Sequence, residues 1–197
     1  MNSLRKLSVL IEKYTNIRNF VVMLVLFVLV TGTMEVCPFG SVHLRNINNG
    51  VGMLDMLSGG YSSSLVYSMF ERIGEAGRIS YAQLLGLDVV FALVYMCLLS
   101  LLTTLLLRGS GIDNQWKLLN LLPVARSGLD LLENSLLLAL LFSYPARLDL
   151  LVNIASAVTI TKWVIYIIIL ALLAVLGIYA AIKKILARFW PCATPGA

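Results

Sequence analysis

An all-α integral membrane protein, folded as a four-transmembrane-helix bundle with a short amphipathic helix in a long first extracytoplasmic connection, is predicted by three features of the chain. Hydrophobic residues make up 59% and charged ones only 13%, with a mean hydropathy of +0.90, far from the soluble average. Four apolar stretches are each long enough to cross a bilayer. Basic residues flank them: Arg5, Lys6, Lys13 and Arg18 precede the first, and Lys183, Lys184 and Arg188 follow the last. A chain of 197 residues holds roughly four spans with short connections, which leaves no room for a separate soluble catalytic domain.

The spans are expected at residues 20–36, 80–107, 118–142 and 151–182. Each can cross a hydrocarbon core of about 30 Å, allowing for tilt. Periodicity decides little, because a helix with lipid on one side and helices on the other is apolar nearly all round. No internal repeat, Pro-rich linker or low-complexity tract divides residues 1–197, so they are read as one domain. The N-terminal bases, the run from Phe20 to Val30 and Thr31-Gly32-Thr33 also resemble a secretory signal, but the apolar run resumes with Met34 and Val36.

Orientation follows from the bases. The N-terminal segment, Arg108 and Lys117 of the second connection, and the C-terminal tail place both termini on the cytoplasmic side of a cell membrane. Against that count stand Arg45, Arg72 and Arg78 in the first connection and Arg147 in the third. Trp116, Tyr144 and Trp190 fall near span ends, where amphipathic rings favour the interface. The net charge of +5 is accounted for by these flanks, so the expected partners are membrane lipids and, in one reading, a membrane subunit, with no nucleic acid.

The first connection, residues 37–79, is the longest. Its first half, with Pro38, Gly40, Asn46, Asn48, Asn49, Gly50 and Gly52, reads as turns. In its second half, Ser62 to Ser64 offer helix N-caps, and Leu65, Val66, Met69, Phe70 and Ile73 repeat at helical spacing before Gly74 and Gly77. An amphipathic helix over residues 63–74 is predicted, with Ser68, Glu71 and Arg72 in water. It would serve as a packing plug or as a lid.

Soluble-enzyme signatures are missing: there is no phosphate-cradling glycine loop, no G-x-S-x-G and no H-E-x-x-H. Cys37, Cys97 and Cys192 are separated by the expected topology and form no C-x-x-C, which argues against thiol exchange. His43 is the only histidine, a poor basis for a metal site, and nothing identifies a cofactor.

Function is carried instead by ionisable residues inside the spans. A charge near the bilayer centre costs about 2.5–3.5 kcal/mol on the insertion scale, so such residues face a protein interior or a water cavity. Arg78, Tyr81, Asp88 and Tyr95 follow steps of 3, 7 and 7; Arg126, Asp130, Glu133 and Asn134 form one stripe; Ser156, Thr159, Lys162 and Tyr166 form another. With a rise of about 1.5 Å per residue, Asp88, Glu133 and Lys162 lie at similar depth, roughly 12–16 Å inside the outer boundary. They are expected to share one interior space.

This set supports two interpretations. As a structural network, Lys162 neutralises Glu133 or Asp88, and Arg126 pairs with Asp130 to fix helix register. As a working site, Arg78, Tyr81, Asp88, Arg126, Asp130, Glu133, Asn134 and Lys162 line a hydrophilic pocket in the outer half of the bundle that binds or processes an amphiphile. Asp88 or Glu133 would be the candidate acid or base, and Arg78 or Lys162 would hold an anionic headgroup. A proton or ion relay, or a small accessory subunit of a membrane complex, is the alternative.

Overall fold

The computed structural model describes residues 3–111 and 114–189. Six α-helices follow one another: α1 Ser3–Tyr14, α2 Ile17–Val36, α3 Ser41–Ile47, α4 Ser63–Ser110, α5 Leu122–Ser143 and α6 Asp149–Phe189. Short 3₁₀ turns cover Leu54–Met56 and Asn114–Leu121, and no strand occurs among the described residues. Trp190 and Cys192 lie outside the described residues.

Three helices, α2, α4 and α6, are long and apolar enough to cross a membrane. Two of them expose many large apolar side chains, among them Val28 61% and Leu29 60% on α2 and Ile167 62% and Val175 64% on α6. No residue of α2 is buried within the chain. The third expected span, now α5, is helical but carries Arg126, Asp130 and Glu133 within 22 residues and is not among the three. It also starts at Leu122 and not at residue 118, because Pro123 suits a helix's first turn and the preceding residues wind as a 3₁₀ turn.

The amphipathic helix forms where its spacing predicts. Ser62 Oγ accepts from the Leu65 amide at 3.3 Å as the N-cap. Val66, Met69, Phe70 and Ile73 are buried, while Ser68, Glu71 and Arg72 are exposed. It is not a separate helix. It runs on into the long apolar helix that follows as α4, bent at Gly74, whose φ of 65° and ψ of −172° are open essentially to glycine alone. The helix ends at Gly111 in the left-handed conformation, its N–H bonded to the Arg108 carbonyl.

Two further corrections concern segments without a long pattern. Residues 41–47, read as turns, form α3, which carries His43 on its exposed side and buries Ser41 and Leu44. Residues 3–14, read only as a basic flank, form α1, held by polar contacts against the end of α4 and the 3₁₀ turn at Asn114–Leu121.

The core sits at the opposite end of the bundle from α1. Leu44, Leu54, Val66 and Phe70 of the first connection pack onto Tyr81, Leu84, Leu137, Leu140 and Val152. A smaller aromatic cluster of Phe27, Phe91, Tyr95 and Tyr166 packs with Ile169 nearer α1. The polar stripes meet between these two apolar layers.

Candidate functional site

Lys162 is the hub. Its ammonium bonds Glu133 Oε2, lies 3.3 Å from Asp130 Oδ1 and donates at 3.3 Å to the backbone carbonyl of Asp55. Asp130 takes the Arg126 guanidinium on its other oxygen, one helical turn away. That guanidinium lies over the rings of Tyr95 and Tyr166, at 4.7 and 5.9 Å from their centroids. Asp130, Glu133 and Lys162 are 2%, 0% and 5% exposed. At such burial neither sign is tolerated alone, so each charge survives because the others surround it.

Glu133 has a second series of hydrogen-bond partners. Its Oε1 bonds the Thr159 hydroxyl, and the Tyr61 phenol lies 3.3 Å from the same hydroxyl oxygen. With one hydroxyl proton, Thr159 donates to Glu133 and accepts from Tyr61. Burial pushes the Tyr61 phenol above its usual range, which keeps that proton in place. The Tyr61 amide in turn donates to Ser156 Oγ at 2.9 Å. The α6 stripe therefore receives the first connection as well as α5.

That role of the connection is the main departure from the sequence-based reading. The 3₁₀ turn at Leu54–Met56 descends to the level of Lys162, with Leu54 0% and Asp55 8% exposed. The Asp55 carbonyl accepts from both Lys162 and Trp163 Nε1, the latter at 3.1 Å. Tyr81 accepts from the Leu54 amide at 3.1 Å and donates to Asp55 Oδ1 at 3.2 Å. Buried irregular backbone needs partners for its polar groups, and these four bonds serve the Leu54 amide and the Asp55 carbonyl and carboxylate. Asp55 was absent from the expected site residues. The only signal was a lone carboxylate inside the apolar run Met53-Leu54-Asp55-Met56-Leu57.

Asp88 stands beside this cluster and not within it. Its Oδ2 accepts from Asn134 Nδ2 at 2.7 Å, which joins the α4 stripe to α5. Neither Asp88 nor Asp55 makes an ion pair among the described residues. Both line one cavity of about 530 Å³, whose walls include Met34, Met53, Met56 and Phe91 and whose rim carries Glu35 and Arg45, 3.4 Å apart. The size falls within the ~300–1,000 Å³ of small-molecule sites. No three His, Cys, Asp or Glu side chains among the described residues converge as metal ligands. The lining combines the Asp55, Asp88 and Glu35 carboxylates and the Arg45 guanidinium with apolar surface.

Arg78 is used elsewhere. Its Nη1 donates to the Phe70 carbonyl at 3.0 Å across the Gly74 bend, and the guanidinium lies 4.3 Å from the Tyr144 ring centroid. It braces the bend. Lys162 is likewise occupied by Glu133 and Asp130, so both residues expected to hold an anionic headgroup are committed to the fold. Of the expected set, Asp130, Glu133, Lys162 and Arg126 come together directly, Asp88 and Asn134 adjoin them, and Tyr81 reaches them through Asp55.

Comparison of the chain with protein-family models, with curated proteins and with solved structures returns no match.

Proposed function

We propose that the chain is a multi-pass membrane protein in which α2, α4, α5 and α6 form a four-helix transmembrane bundle with both termini cytoplasmic, and that it binds an amphiphile in the cavity beside Asp55 and Asp88. Four interior carboxylates, Asp55, Asp88, Asp130 and Glu133, face two interior cations, Arg126 and Lys162. The two that make no direct ion pair among the described residues, Asp55 and Asp88, both line the cavity. This observation carries the reading, and it favours a cationic head over the anionic one expected from sequence. The apolar walls at Met34, Met56 and Phe91 would take the tail. The aromatic cluster below, with Arg126 stacked on Tyr95, favours binding from one side over a relay open to both.

Topology has a direct test. In a background without native cysteines, Asn46→Cys should react with an impermeant maleimide on intact cells and Lys6→Cys should not; both positions are exposed. The reverse pattern inverts the orientation, and labelling at neither position denies that Asn46 is outside.

Ligand binding can be read from Trp163, whose indole bonds the Asp55 carbonyl. With Trp116 and Trp190 replaced by phenylalanine, decylammonium should change its fluorescence saturably in lipid nanodiscs, and decyl sulfate should not. Asp88→Asn should weaken the ammonium response by about tenfold, the loss of one charge-assisted contact. Equal responses to both amphiphiles, or an unaltered midpoint in Asp88→Asn, would remove the cationic-head assignment.

A further inference from the structure

A second cavity, of about 480 Å³, opens at the end of the bundle that carries α1. Leu7, Leu10, Ile11 and Tyr14 of α1 form one wall, and Met23 of α2 and Ser100 of α4 face them. The walls are apolar apart from a few groups, and the volume suits a small amphiphile or a lipid chain.

The orientation of α1 explains why the space is not filled by protein. An amphipathic helix on a soluble domain turns its apolar side inward. Here the polar side is fastened: Ser8 Oγ donates to the Lys117 carbonyl at 3.2 Å, Lys117 Nζ bonds Glu12 Oε1 at 2.7 Å, and Arg108 donates to the carbonyls of Glu12 and Thr15 at 2.6 and 2.9 Å. The apolar edge is thereby held over the cavity, with Leu10 and Tyr14 still about half exposed. A helix so placed lies in the plane of a membrane interface.

Two observations specify what enters. Arg5, Lys6, Lys13 and Arg18 are exposed on α1 and the start of α2, whereas Glu12, the one acid of α1, is taken by Lys117. None of the four bases pairs with an acid among the described residues, and Lys13 lies 5.8 Å from the ring of Tyr14, which lines the cavity. Within it, Ser100 is 3% exposed and its hydroxyl has no hydrogen-bond partner among the described residues. A buried donor of this kind calls for an acceptor, such as an acyl ester oxygen.

We propose that this cavity holds an acyl chain of one anionic phospholipid from the adjacent leaflet, with its phosphate against the bases of α1 and its ester oxygen near Ser100. The proposal rests on the membrane-spanning reading but not on the carboxylate cavity or its ligand. Polybasic segments at a membrane surface attract anionic lipid by charge, and a chain-sized slot beneath adds the retention that charge alone lacks.

The test is native mass spectrometry of detergent-purified protein given equal phosphatidylglycerol and phosphatidylcholine. One phosphatidylglycerol per chain should be retained, with about a tenfold preference. Ser100→Phe, which fills the slot, should remove the adduct. Arg5→Gln with Lys6→Gln and Lys13→Gln should abolish the preference while the slot still retains either lipid. No adduct, equal retention of the two lipids by the unaltered protein, or an intact adduct in Ser100→Phe overturns the proposal.

Should Ser100→Phe not fold, Cys97, which lines the same cavity, serves instead. As the sole thiol, with Cys37→Ser and Cys192→Ser, it should react with a permeant maleimide about fivefold more slowly in phosphatidylglycerol-containing nanodiscs than in phosphatidylcholine. An unchanged rate overturns the proposal. A chain that stays soluble without detergent defeats the membrane reading itself, whereas a detergent-requiring chain without lipid preference defeats only this site.

Discussion

Lys162→Met should destabilise the protein by about 3–5 kcal/mol, the cost of leaving a buried carboxylate without its cation. Glu133 is fully buried, and its other side-chain partner is the Thr159 hydroxyl, so it must either ionise unpaired or take up a proton. Asp130 is less affected because Arg126 remains on its second oxygen. Adding Glu133→Leu should therefore recover most of the loss, since the pair is then replaced by apolar surface and no charge is stranded. Recovery should fall short by about 1 kcal/mol, because the Asp55 carbonyl loses one of its two donors and keeps Trp163. Unfolding of the purified protein by a denaturing detergent, followed by circular dichroism, reads both values. A double variant no more stable than Lys162→Met would show that Lys162 and Glu133 are not coupled as drawn.

The same pair shows what a sequence can disclose about such a site. Arg126, Asp130, Glu133 and Asn134 were legible because a helix of 3.6 residues per turn places them on one face, and because charges amid apolar residues must turn inward. Thr159 and Lys162 follow by the same rule, and both meet Glu133. Asp55 obeys no period. It reaches Lys162 only because a 3₁₀ turn folds into the interior, and that path is set by tertiary partners such as Tyr81, 26 positions away. The partners of Arg78 are set by a related effect. Its place on the α4 face is as expected, but the bend at Gly74 brings the Phe70 carbonyl within its reach. The α5 boundary was missed because Leu118, Leu119 and Leu121 read as span, whereas Asn120 is drawn to Thr104 Oγ1 at 3.2 Å and the chain tightens there into a 3₁₀ turn. Local pattern gives faces and approximate ends; long-range hydrogen bonds decide the rest.

Gly74→Ala should destabilise by about 1–3 kcal/mol if the bend is kept, because φ 65°, ψ −172° is a region L-residues hardly enter. Crowding plays no part, since a Cβ at this position would meet nothing within 4 Å. Gly86 supplies the control on the same helix: it too has nothing within 4 Å, but its backbone is helical. Gly86→Ala should be stabilising by about 0.5–1 kcal/mol through helix propensity alone. One added methyl thus has opposite signs twelve positions apart. If the chain escapes the strain by straightening α4, Val66 and Phe70, both 0% exposed, must leave the core, and the Arg78 bond to the Phe70 carbonyl must break. Trypsin cleavage at Arg72, which is exposed but held in helix, would then accelerate relative to the Gly86 variant. Equal denaturation midpoints for Gly74→Ala and Gly86→Ala, with equal cleavage rates, would mean that the bend is not where α4 is set against the site.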